Sequence, residues 1–170
     1  MTQLEALVQA WDEFHWEYSL SLENLADENV WKRPDPRLLS IGELTGHVCY
    51  ANAIRFLSRS EYANLAELPV VSSLIDRRFR YYLNQVEEPV VLDMGAEELA
   101  SEFTRIYKAC KSTMMEFNPE YDDFLPGRTA EMEGFTRWGM TLQYMLFHIA
   151  YHAGQAYSVR YLLGDTPEDN

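Results

Sequence analysis

The sequence predicts an all-α protein built as a four-helix bundle, and three features of the chain support this fold class. Four long segments repeat apolar residues at spacings of three and four, which is the pattern of an amphipathic helix. Two of these segments begin with a capping box, formed by Thr2 with Glu5 and by Ser40 with Glu43. The only strand-like run, residues 90–92, is too short to build a sheet.

The segments with helical spacing have recognisable ends. The predicted helices span residues 2–27, 40–60, 96–117 and 136–163. Pro34 and Pro36 follow the first, Asn118-Pro119 ends the third, and Gly164 stands where a C-cap belongs after the last. Helices of roughly 20 residues, each about 30 Å long, have the length that a bundle requires.

Two connections between these helices are long. Residues 61–93 are predicted to form a crossover that contains a shorter helix over residues 70–86, between Pro69 and Pro89. A crossover of this length allows the next helix to run parallel to the preceding one. Residues 119–137, with Pro126-Gly127 and scattered acidic residues, are predicted to form a loop.

Length and charge restrict the classes of function. A chain of 170 residues suits one domain, so we expect residues 1–170 to form a single domain. The net charge of −13 repels nucleic-acid phosphates and anionic lipids, so we expect neither nucleic acid nor membrane as a partner. The basic cluster of Arg77, Arg78 and Arg80 is interpreted as a solvated face.

The sequence also favours a cytoplasmic location. The first five residues show no basic region before an apolar run, and no stretch approaches the ~20 apolar residues of a membrane span. Cys49 and Cys110 lie in apolar helical patterns outside any CxxC pair. Such cysteines are typical of buried thiols in a reducing compartment.

Histidines carry the clearest chemical signal. His148 and His152 are four residues apart, so both project from one face of the last predicted helix. His47 lies at the edge of the apolar face of the second helix, which can face the last helix across a bundle core. Three imidazoles that meet in this way suit zinc, nickel, copper or iron. The pair alone is a weak signal; the third histidine strengthens the prediction of one divalent metal site.

The fourth histidine and a centre of two metal ions do not fit this site. His15 lies one step off the apolar stripe of the first helix, so we expect it at the surface or boundary and outside the metal site. A ferritin-like centre of two metal ions requires Glu-x-x-His motifs. No glutamate stands three residues before His47, His148 or His152, which argues against that centre.

Three segments of the chain carry distinctive sequences: SIGELTGH at residues 40–47, preceded by Trp31 and Pro34, HIAYHAGQ at residues 148–155, and RYLLG at residues 160–164. Through them the chain resembles the DinB-like (YfiT-like) family of metalloenzymes along nearly its whole length. Residues 40–47 resemble the start of the second helix in that family, and Trp31 and Pro34 match the tryptophan and proline that precede it there. Residues 148–155 (HIAYHAGQ) resemble the HxxxH(R/x)GQ signature, and residues 160–164 (RYLLG) resemble the tail of the last helix. The chain departs from the family at Ala153, where an arginine is frequent.

The resemblance implies a four-helix bundle with up-down-down-up connectivity and a nickel or zinc ion held by His47, His148 and His152. It also implies a homodimer and, by similarity to relatives that are thiol-dependent transferases, a low-molecular-weight thiol as cosubstrate. The expected function is therefore a metal-dependent enzyme of the S-transferase or hydrolase type that acts on a small molecule. The alternative is a non-catalytic bundle or interaction module that a metal stabilises.

Three further residues are candidates for the pocket or for support of the metal ligands. Tyr144 lies one turn before His148, and Gln155 lies three residues after His152, so both can face the cavity. Glu43 lies one turn before His47 and can accept an imidazole N–H, but its place in the capping box is the stronger interpretation. The alternative role of Tyr144 is core packing.

Overall fold

The computed structural model describes residues 1–57, 68–81 and 88–167, and this part of the chain is all-helical, as predicted. Its elements are α1 (Gln3–Leu20), α2 (Asp27–Val30), α3 (Ile41–Asn52) followed by a π-helical segment (Ala53–Leu57), a 3₁₀ turn (Arg77–Phe79), α4 (Ala96–Phe117) and α5 (Trp138–Leu162). No helix within these ranges combines the length and apolar composition that crossing a membrane would need.

The first predicted helix is shorter than expected, because the chain turns after α1. Asn24 adopts a left-handed conformation with φ of 54°, which an α-helix cannot contain. The apolar spacing continues through Leu22 and Leu25 because both side chains are buried in the turn. At the second helix, α3 changes to π-helical geometry at Ala53; predicted residues 58–60 lie outside the described ranges.

The predicted helix over residues 70–86 is wrong for residues 70–81, while residues 82–86 lie outside the described part. Side chains compete with helical hydrogen bonds in this stretch. The hydroxyl of Ser72 accepts from the backbone N–H of Leu74, and Asp76 accepts from that of Arg78. Only the 3₁₀ turn Arg77–Phe79 forms, and its arginines are exposed, as expected for a solvated face.

Contacts between the helix ends give their relative directions. Arg160, near the end of α5, donates to the carbonyls of Ser21 and Glu23 just after α1, so α1 and α5 end together. Tyr18, near the end of α1, is hydrogen-bonded to Thr45 at the start of α3, so these two helices run in opposite directions. The residues 119–137 form the predicted loop, with one isolated bridge between Phe124 and Arg137.

His15 lies in the core and not at the surface as expected. It is only 5% exposed, and its ring stacks on those of Phe103 and Tyr107 from α4, with centroids 4.1 and 3.8 Å away. Burial lowers the pKa of His15 to about 4, so the imidazole is neutral. Residues 11, 15 and 18 form the buried face of α1 at helical spacing. The imidazole of His15 is flat and therefore stacks on the aromatic rings of α4.

Candidate metal centre

The structure brings together the three histidines that the sequence predicted. His47 projects from α3, and His148 and His152 project from α5. One ring nitrogen from each lies within 4.8 Å of the others, and all three side chains are buried. Nε2 of His47 lies 3.0 Å from Nε2 of His148. Within the described ranges, this is the only group of three or more histidine, cysteine or acidic side chains spaced to hold a metal ion.

A backbone carbonyl fixes the orientation of His47. Its Nδ1 lies 2.7 Å from the carbonyl oxygen of Phe79 in the 3₁₀ turn. A carbonyl oxygen only accepts, so Nδ1 carries the proton and the lone pair is on Nε2, which faces His148. Gly46 permits this approach, because a Cβ at that position would lie 2.6 Å from the Phe79 ring.

A buried network around Glu43 fixes the start of α3. The carboxylate closes the capping box with Ser40, forms an ion pair with Arg33, and accepts from the backbone N–H of Val90. Burial alone would raise the pKa of Glu43, but the hydrogen bonds from Arg33, Ser40 and Val90 lower it overall. None of these bonds goes to His47, so Glu43 has the capping role. It influences the position of His47 only by fixing the start of α3, the helix that carries this histidine.

Gln155 orients His152. Its Oε1 lies 2.7 Å from Nδ1 of His152, and its Nε2 donates to the hydroxyl of Tyr151 at 3.3 Å. The amide oxygen accepts the Nδ1 proton, which leaves the lone pair of His152 on Nε2. Histidine ligands of metals commonly have such a partner on the second ring nitrogen.

His148 has a different environment. Because Nε2 of His47 is an acceptor, Nε2 of His148 donates to it, and Nδ1 of His148 is then an unprotonated acceptor. This Nδ1 is buried and has no hydrogen-bond partner in the described part of the chain. The ring of Tyr144 lies 5.8 Å from the His148 ring and stacks on Phe135 at 4.3 Å. Tyr144 therefore lies next to the site and also packs against a neighbouring side chain.

Three residues near the histidines were not identified from the sequence. The ring of Tyr81 lies 5.8 Å from the His47 ring, and the ring of Tyr151 lies 5.1 Å from the His152 ring. Arg55 places its guanidinium 5.3 Å from the centre of the Tyr144 ring. Arg55 is eight residues after His47, a helical spacing that would have identified it. Tyr81 follows the 3₁₀ turn, where the apolar spacing wrongly predicted a helix and so gave no indication of a contact with His47.

Electrostatics keep the imidazoles neutral. Burial lowers the pKa of His47, and the positive charge of Arg55 lowers it further. Burial and then the neighbouring histidines hold the pKa of His148 far below its usual value and lower that of His152 to about 4. All three rings are therefore uncharged near neutral pH, which is the form that binds a metal ion.

The donor set fits a divalent metal ion. Tetrahedral coordination with metal–nitrogen distances near 2.0–2.1 Å places nitrogens roughly 3.3 Å apart, close to the 3.0 Å between His47 and His148. No fourth histidine, cysteine or carboxylate of the described residues joins the group. Cys49 is buried, and burial raises the pKa of its thiol. Three protein ligands are typical of catalytic sites, whereas structural zinc sites have four.

Comparisons of the chain with protein-family models, with curated proteins and with solved structures found no match.

Proposed function

We propose that the chain is a DinB-like four-helix bundle with one domain and up-down-down-up connectivity. The directions of the helices support this topology. Phe103 of α4 contacts Tyr18 and the later Tyr107 contacts the earlier Trp11, so α4 runs opposite to α1. Since α3 also runs opposite to α1 and α5 runs parallel to it, the four directions agree with those of the family.

The bundle binds one divalent metal ion, nickel or zinc, through His47, His148 and His152. The observation that carries this proposal is the convergence of three buried, neutral imidazoles whose ring nitrogens lie within 4.8 Å of one another. Hydrogen bonds from Nδ1 of His47 and of His152 direct both Nε2 lone pairs into the site.

The protein is proposed to be a cytoplasmic enzyme that acts on a small molecule as a thiol-dependent S-transferase or a hydrolase. A metal ion of this kind supplies Lewis acidity, which favours the deprotonated form of a bound thiol or water. In a transfer, the thiol releases its proton to solvent, its sulfur forms the new bond, and the leaving group departs with its electron pair; in a hydrolysis, water takes the place of the thiol. Tyr144, Tyr151 and Tyr81 flank the histidines, with ring centres 5.1–5.8 Å from the imidazole rings.

A conjugation assay tests the catalytic proposal. Protein loaded with nickel or zinc is mixed with a low-molecular-weight thiol and an aryl or alkyl electrophile, and thioether formation is followed by mass spectrometry. We expect turnover with loaded wild type and none with His148→Ala. A parallel assay with an ester and no thiol identifies a hydrolase.

Absence of turnover in both assays, with one metal ion bound per chain, would favour the second candidate, a non-catalytic bundle that the metal stabilises. The observation that favours this candidate is the burial of all three ligands in the core between α3 and α5. Its signature is a large rise in thermal stability on metal addition without any chemical change in the substrates.

A further inference from the structure

A positively charged side chain lies beside the histidine cluster. Arg55 is half-buried, and its guanidinium lies 5.3 Å from the centre of the Tyr144 ring. The Tyr144 ring is in turn 5.8 Å from the His148 ring, so one aromatic ring separates the guanidinium from a histidine of the triad. Burial is the main cause of the low pKa of His47 and of His148, and the charge of Arg55 lowers both further. Arg55 therefore contributes its charge to the histidine site.

The local helix geometry directs Arg55 towards this site. Arg55 is eight residues after His47, and in a regular α-helix the two side chains would point about 80° apart. The segment Ala53–Leu57 is π-helical, and a π-helix has more residues per turn, so each residue rotates the chain by a smaller angle. The segment therefore turns Arg55 back towards the direction of His47. Short π-helical segments of this kind are frequent at functional sites.

Two contacts hold the guanidinium in place. Its Nη1 donates to the carbonyl oxygen of Ala51 at 3.1 Å, and the ring of Tyr144 forms a cation–π contact with it. Tyr144 is itself stacked on Phe135. A side chain that is already ordered loses less entropy when it binds a ligand. A guanidinium has five N–H donors in a planar fork, so Arg55 can bind a carboxylate while it keeps its bond to Ala51.

The charge balance of the site favours an anionic ligand. The three imidazoles are neutral, and no carboxylate or thiol of the described residues joins them. A divalent ion held by neutral ligands keeps both of its positive charges, Arg55 adds a third nearby, and one thiolate offsets only one of them. Elsewhere the net charge of −13 repels small anions, so a local excess of positive charge determines where they bind.

We propose that the small molecule bound at this site carries a carboxylate, and that Arg55 binds this carboxylate while the reacting group reaches the metal ion. The inference rests on the proposed function and adds the chemical class of the substrate. One guanidinium matches the two oxygens and the single charge of a carboxylate. Arg55 is then a specificity-determining residue, because a neutral molecule of the same shape lacks the charge-assisted hydrogen bonds.

Binding of two thiol probes to the full chain tests the proposal. The protein is loaded with nickel or zinc, its metal content is measured, and it is titrated calorimetrically with 3-mercaptopropionate and with the neutral 3-mercaptopropionamide. The two probes have nearly the same shape and differ in the charge at the end remote from sulfur. We expect wild type to bind the carboxylate probe about 10-fold or more tightly than the amide probe.

Three variants identify the source of this preference. Arg55→Gln should reduce the preference about 10-fold, while the metal content and the affinity for the amide probe stay within a few-fold of wild type. Arg55→Lys should keep part of the preference, because an ammonium group attracts a carboxylate but lacks the planar fork. Lys108→Gln is the matched control, since Lys108 is exposed on α4 and the net charge changes equally. A merely structural role of Arg55 would change the affinities for both probes together.

Four outcomes would overturn the proposal. Metal-loaded wild type could bind both probes equally, or neither. Arg55→Gln could keep the full preference of wild type. Lys108→Gln could lose as much preference as Arg55→Gln, which would assign the effect to net charge and not to a contact. In all of these the metal content is normal, so the metal centre stands; wild type that retains no metal would overturn the metal centre and this inference together.

Discussion

Replacing Gln155 by leucine should weaken metal binding without unfolding the protein. Gln155 is half-buried, and its amide oxygen lies 2.7 Å from Nδ1 of His152. Removing such a partner of a ligand histidine typically reduces metal affinity by about 10- to 100-fold. This corresponds to about 1.4 to 2.8 kcal/mol of binding free energy. Leucine has a similar volume, so the main change is the loss of the hydrogen bond.

A second substitution tests the direction of this hydrogen bond. A carboxylate can only accept, so Gln155→Glu should keep zinc affinity at or above that of wild type. Gln143→Leu is the matched control, since Gln143 is exposed on the same helix, one turn before Phe147. It should leave the affinity unchanged.

Competition of metal-free protein with a chromophoric zinc chelator measures the dissociation constants, and thermal melts verify folding. If Gln155→Leu binds zinc as tightly as wild type, the orienting role of Gln155 is refuted. If Gln155→Glu weakens binding as much as Gln155→Leu, then the amide donates to His152 and the assigned tautomer is wrong.

Three further predictions concern the scaffold, each checked by urea denaturation of metal-free protein unless stated. Between pH 6.5 and 4, the free energy of unfolding of wild type should fall by up to about 3 kcal/mol more than that of His15→Phe. The reason is that burial lowers the pKa of His15 to about 4, so the unfolded chain takes up the proton before the folded chain does as the pH falls. Parallel pH profiles of the two proteins would contradict this. Glu43→Gln should cost about 3 kcal/mol, because it leaves the charge of Arg33 buried and unpaired, and a loss below about 1 kcal/mol would show that water compensates the arginine. Gly46→Ala should cost about 1–3 kcal/mol despite the better helix propensity of alanine, and it should weaken zinc binding by displacing Phe79; unchanged zinc affinity would refute the link to the carbonyl.

The periodicity of apolar residues was enough to predict the long helices, because each buries one face. It could not show where α1 ends, since Leu22 and Leu25 continue the spacing through a turn that Asn24 makes. Apolar periodicity also predicted a helix over residues 70–81, where the structure has only a 3₁₀ turn. There the decisive interactions are local bonds from Ser72 and Asp76 to the backbone.

The histidine triad was predictable from two simple conditions. Any helix over residues 148–152 places His148 and His152 on one face, and His47 joins them if its helix faces that one. The hydrogen-bond partners that orient the triad were harder to predict from the sequence. The partner of His47 is the backbone carbonyl of Phe79. Every residue has a backbone carbonyl, so the sequence does not reveal which one His47 contacts. His15 was placed at the surface or boundary because it lies one step off the apolar stripe of the first helix. The α4 rings that bury it come from a distant part of the chain.

Metal content is the most direct test of the central claim. Protein purified without a metal-affinity tag, then supplied with nickel or zinc and freed of excess ion, is assayed by elemental analysis for wild type and for His148→Ala. The proposed centre predicts about one metal ion per chain in wild type and a substoichiometric amount in the variant. Wild-type protein that retains neither metal, or a variant that retains as much as wild type, would contradict the assignment of His47, His148 and His152 as a metal site.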